Sequence, residues 1–82
     1  MKDKHTVWVV ITFDTDTTSL TSKKVFKSQS EAFADVHNWF DSLMEEYNED
    51  GYEPIGEFNC GHAQITHNGW TEVCEAFEVE VE

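Results

Sequence analysis

From His5 to Phe13 almost every position is apolar or β-branched, and strand alternation sorts these residues onto two faces. Val7, Val9, Ile11 and Phe13 share one face, and Trp8 and Val10 share the other. A strand apolar on both faces is central in its sheet, or covered twice. Asp14 to Ser22 (DTDTTSLTS) is polar and rich in turn formers, which predicts a hairpin connection. Lys23 to Phe26 is then a short second strand, antiparallel to the first, with lysines that suit a sheet edge.

The spacing changes at Ser28. Phe33, Val36, Phe40, Leu43, Met44 and Tyr47 recur every three or four residues, which predicts one helix over 28–47 with a single buried stripe. Ala32 and Trp39 flank that stripe on one side and His37 on the other. Asp35, Asn38, Asp41, Ser42, Glu45 and Glu46 fill the opposite side. Ser28 with Glu31, or Ser30, supplies the start, and Gly51 supplies a stop. Pro54 keeps the residue before it extended. Two further strands are predicted, Glu57 to His67 and Trp70 to Val81. Asn68-Gly69 between them is a strong signal for a two-residue turn. On the last strand Val73, Phe77, Val79 and Val81 share one face, and Glu72, Glu78 and Glu80 the other.

The predicted order is ββαββ: an α+β fold with an antiparallel four-stranded sheet and one helix on one face. The whole chain, 1–82, reads as one domain, with no linker, repeat or low-complexity tract. The second sheet face is expected to be partly bare, with Trp8, Val10, Ile65 and Trp70 on it, which invites a dimer or a partner.

Composition adds location and charge. The chain is 39% hydrophobic with three Trp and six Phe, enough for a packed core. No apolar run reaches the ~18 residues of a membrane span, and the first residues lead into a strand rather than a signal peptide. The expected setting is cytoplasmic, with Cys60 and Cys74 as reduced thiols. Net charge is −12, unevenly spread. All five lysines (Lys2, Lys4, Lys23, Lys24, Lys27) lie in the first 27 positions, beside three acids, and there is no Arg. Residues 28–82 carry fourteen acids and no Lys or Arg. Such a field repels nucleic acid and anionic membranes, attracts basic partners, and opposes folding by self-repulsion.

Cys60, His62, His67 and Cys74 form a complete set of zinc ligand types. Their spacing, C-x-H-x4-H-x6-C, is not that of a zinc finger, and register argues against convergence. With Asn68 and Gly69 as the turn, His62 lies opposite Glu75 and Cys60 opposite Phe77, on one face. Cys74, opposite Ala63, and His67 point the other way. The same parity forbids a Cys60–Cys74 disulfide; a three-residue loop would reverse both conclusions. Thiol catalysis lacks a cation or helix N-terminus to ionise the sulfur. Asp14-Thr15-Asp16 matches the start of a calcium loop, but the Gly and the distal Glu are missing. Paired carboxylates are abundant, yet glycosidase chemistry needs a cleft that 82 residues hardly provide. There is no phosphate-binding glycine loop. The sequence calls for no cofactor, no metal and no catalytic residue.

The acid pattern is the remaining signal. Asp41, Glu45, Glu46, Glu49 and Asp50 crowd the helix C-terminus, where the dipole is already negative and each exposed acid costs a few tenths of a kcal/mol. Glu53 and Glu57 extend that region. Glu78, Glu80 and Glu82 recur every second residue, about 6.6–6.8 Å apart, and spaced carboxylates imitate a phosphate row. Trp39, Tyr52 and Trp70 are candidate aromatic anchors. The expected function is a non-enzymatic acidic binding protein that inhibits by occupying the basic groove of a nucleic-acid-binding protein or nuclease complex. Partner-binding residues would be Asp41, Glu45, Glu46, Glu49, Asp50, Glu53, Glu78, Glu80, Trp39, Tyr52 and Trp70. Small size, acidity and the lack of active-site motifs resemble phage-encoded inhibitors of restriction and CRISPR nucleases, a likeness of type that carries over no residue. The alternatives are a small interaction module that forms a homodimer, with acidity serving solubility or high salt, and a protein built on a Cys/His metal or thiol site.

Overall fold

The computed structural model describes residues 5–15 and 19–81. Six elements follow in the order β1 (His5–Asp14), β2 (Ser19–Phe26), α1 (Gln29–Glu49), β3 (Ile55–Asn59), β4 (His62–His67) and β5 (Trp70–Val81). The sheet is antiparallel with strand order β2-β1-β5-β4-β3, and α1 lies across one face of it. The fold is α+β as expected, with five strands in place of four and the order ββαβββ in place of ββαββ.

The extra strand comes from a turn at Cys60-Gly61, inside the segment predicted as one strand from Glu57 to His67. Asn59 pairs with His62 across it, and Cys60 takes a left-handed φ of 49°. Cys60 therefore sits in a turn rather than opposite Phe77. The Gly61 carbonyl accepts a hydrogen bond from the Ala76 amide at 2.7 Å, which ties this turn to β5. The β4–β5 turn follows the sequence closely. Asn68 and Gly69 both have positive φ, 48° and 83°, as a two-residue type I′ turn requires. The second strand is longer than expected, because Ser19 and Leu20 already pair with Asp14 and Phe13, with a bulge between Thr12 and Phe13.

The helix begins and ends where its caps place it. The Ser28 hydroxyl accepts from the Glu31 amide and donates to the Glu31 carboxylate. At the other end Gly51 adopts φ 82°, its amide bonds to the Asn48 carbonyl, and the Tyr52 amide reaches back to the Tyr47 carbonyl. The Tyr47 and Tyr52 rings meet edge to face at 6.1 Å, the apolar contact that accompanies this Schellman arrangement. Gly51→Ala should cost about 1–2 kcal/mol by placing a Cβ in the left-handed region, read as a lower denaturation midpoint with an unchanged slope.

The core holds Val10, Ala32, Val36, Ala63 and Cys74, with Trp8, Phe26, Phe33, Trp39, Phe40 and Ala76 packed around it. Trp8, Val10 and Ile65 are thus beneath the helix, not on a bare second face as the sequence suggested. The reason is steric. The strand face under α1 is lined with small residues, and at Gly56 an added Cβ would lie 2.6 Å from the Phe40 ring. Only that face lets the helix backbone approach closely. Val7, Val9, Ile11 and Phe13 point the other way, with Val73, Phe77, Val79 and Val81 beside them on β5.

Candidate functional site

The last turns of α1 are fixed to the β4–β5 hairpin by three side chains. Tyr47 stacks on His67 at 3.9 Å between ring centres, and the Tyr47 hydroxyl donates to the Glu72 carboxylate. The same Glu72 oxygen lies 2.9 Å from His67 Nε2. Nε2–H donates to the Glu72 carboxylate, and Nδ1 is buried with no hydrogen-bond partner among the described residues. This brace holds the acidic end of the helix in one place. It also uses Glu72 and His67 structurally.

Around the brace, Glu45, Glu46, Glu49 and Asp50 are exposed, and among the described residues no lysine lies within ion-pair distance of them. Asp41 is exposed and meets His37 Nε2 at 3.0 Å. Glu53 follows at φ 51° in the loop after Gly51. Tyr52 is 47% exposed and Trp70, paired with His67, is 43% exposed. These two rings, the four helical acids and Glu53 gather around the C-terminal end of α1, with Asp41 about two turns before it.

The remaining predicted residues are elsewhere. Glu78 pairs with Trp8 and Glu80 with Thr6, at the end of the sheet near the first turns of α1, where Phe33 meets Trp8. Six residues of strand separate Glu72 from Glu78, roughly 20 Å. The acids of β5 and those of the helix C-terminus thus form two patches rather than one row. Trp39 is half-buried against the core, which removes it as an exposed anchor. Asp35, expected on the outer side of the helix, is half-buried and bridges Lys24 at 3.2 Å. Glu82 and the calcium-loop residue Asp16 lie outside the described residues, as do Lys2 and Lys4.

The Cys/His set does not converge. His62 lies on the bare sheet face, 3.6 Å from Glu75, while His67 and Cys74 lie under the helix and Cys60 is in an exposed turn. Among the described residues, no three His, Cys, Asp or Glu side chains are arranged to hold a metal ion. Cys74 is fully buried, and burial, helped by the Asp35 carboxylate and opposed by Lys24, pushes its thiol up to about 12. Burial, the hydrogen bond to Glu72 and the charges of Glu72, Glu46 and Asp14 push the Tyr47 hydroxyl up as well. Both protons are kept by the folded chain after an unfolded chain has lost them. The unfolded state therefore binds fewer protons above about pH 9, and stability falls as pH rises from there. For buried Cys74 the limiting slope is about 1.4 kcal/mol per pH unit. Denaturant midpoints at pH 8 and pH 10 check this, and Cys74→Ala should flatten the decline.

No helix is long and apolar enough to cross a membrane among the described residues. No family model matches the chain, and neither a curated protein nor a solved structure is significantly similar to it.

Proposed function

We propose that the chain is a non-enzymatic binding protein whose acidic helix end enters a basic groove of a nucleic-acid-binding protein, in the place of phosphates. One observation carries the reading. Glu45, Glu46, Glu49 and Asp50 are exposed and, among the described residues, unpaired by lysine where the helix dipole makes them costly, on a helix end braced by Tyr47, Glu72 and His67. Acids placed against the dipole reduce stability, so a partner that neutralises them regains that energy on binding. Tyr52 and Trp70 beside them supply apolar area for the same contact. The acids at Glu78 and Glu80 act on the far side of the molecule, in long-range steering rather than in the contact itself.

The lysines support the same polarity. Lys23 and Lys24 lie on β2 and Lys27 just beyond it, at the sheet edge opposite β3. The chain thus presents a cationic edge and a separate anionic helix end, which orients it in the field of a basic target.

Capture from a cell lysate on immobilised protein tests the reading. At low salt the bound fraction should be dominated by a basic, nucleic-acid-handling protein. It should elute as salt rises and be displaced by added DNA. Enrichment of no such protein at low salt would refute the proposal.

A further inference from the structure

The sheet face turned away from α1 carries an apolar field that no described element covers. Its contiguous part spans three adjacent strands, with Ile55 on β3 set apart from it by polar β4. β1 contributes Val7, Val9, Ile11 and Phe13, with β2 on one side and β5 on the other. The next strand, β4, presents His62, Gln64 and Thr66 on this face, so polarity begins there. Val25 is 61% exposed, Leu20 61% and Phe77 40%. These are large apolar side chains left in water on a flat surface.

Charge on this face is sparse and asymmetric about β1. Ile11 pairs with Lys23 on β2 and with Glu75 on β5, so cation, isoleucine and anion form one row across the three strands. Lys23 has no carboxylate in reach among the described residues. We propose that this face binds a second copy of itself, as a two-fold dimer whose axis runs along β1 in the plane between the sheets. That rotation exchanges the β2 and β5 sides while keeping each row at its own level. It lays Lys23 over Glu75 of the other copy, and Glu75 over the other Lys23. One row away, Val25 faces Phe77, because both flank Val9, and both are exposed in the single chain. Aligned face-to-face packing of the two sheets, about 10 Å apart with the β1 strands near parallel, accommodates the contact.

The size sets the strength. Three strands about 4.8 Å apart over nine residues give a footprint of roughly 400 Å² on each copy. That is at the small end of specific interfaces, so the dimer is a weak one that forms at micromolar concentration or above. The helices then lie on the two outer sides, with both acidic ends free. Two copies of net charge −12 repel at long range, whereas the Lys23–Glu75 pairs act at contact and are screened less. Added salt therefore strengthens the dimer, the reverse of its effect on capture of a basic partner.

Sedimentation equilibrium over a wide concentration range tests the proposal. The wild-type chain should move from monomer to dimer with rising concentration. Lys23→Glu and Glu75→Lys should each weaken the dimer about tenfold or more, by setting like charges against each other, and the double variant should restore it. Charge reversal on the helix should leave it intact, which separates this proposal from the preceding one. In a parallel measurement on the unaltered chain, amide NMR shifts that depend on concentration should map to β1, β2 and β5. A monomer at all concentrations, a double variant that stays monomeric, or shifts that map to the helix would each overturn it.

Discussion

Replacing Glu45, Glu46 and Glu49 together by lysine should abolish capture of the basic partner while leaving the fold as stable as before, or more so. The two effects come from the same groups. Exposed ion pairs contribute about 0.2–1 kcal/mol each, and reversal both removes three attractions and adds three repulsions. The expected loss is about 2–4 kcal/mol, roughly 30- to 700-fold in affinity. The same substitutions place cations at a helix C-terminus that carries none in its last turn, which favours the helix by about 0.3–1 kcal/mol each at low salt. Binding assays at low salt and thermal melts of the same samples read the two changes. A variant that binds as before would refute the acidic-end reading, whatever its melting temperature. Reversal of Glu78 and Glu80, at the other end of the sheet, should slow association without removing capture.

Ile65→Ala should be the most damaging single truncation, at about 2–5 kcal/mol. Ile65 is the largest of the fully buried side chains, on the strand that lies under the helix next to β5. A domain of this length has roughly 4–12 kcal/mol in total, so the variant loses much of its margin. Each kcal/mol lowers the melting temperature by roughly 4–8 °C. Ile55→Ala makes the matched control. Ile55 lies in the adjacent strand β3 but is 71% exposed, and its truncation should change stability by less than about 0.5 kcal/mol. Equal costs at the two positions would mean that the face under the helix is not the core.

The two isoleucines also show where the sequence is informative. The helix stripe, the Ser28 start, the Gly51 stop and the Asn68-Gly69 turn all emerged at their predicted places, because each depends on residues within a few positions of one another. The turn fixed the β4–β5 register, and that register separates Cys74 and His67 from His62, as parity requires. Cys60-Gly61 gave a weaker signal. Cysteine is not a turn former, so two strands read as one, and the sheet gained a fifth strand. The covered face left no such signal: only in the fold do the rings of Phe40 and Phe33 sit where side chains at Gly56 and Gly61 would be.

For the candidate site, the sequence supplied the cluster of acids at the helix end and the exposure of Tyr52 and Trp70. Trp39 went to the core, and Glu78 and Glu80 to the far end of the sheet, because distances across a sheet depend on register and on where the helix lies. The Tyr47–Glu72–His67 brace joins the helix end to a hairpin twenty or more positions further along the chain and left no local trace.

By itself, then, the sequence determined the helix with its caps, one hairpin register and the separation of cationic from anionic segments, all of which follow from local conformational preference and from counting. Only the tertiary structure decided which face of β1 meets the helix. Both faces are apolar, so hydrophobicity does not discriminate between them. Close approach of the helix does, and it depends on side-chain volume brought together from four strands.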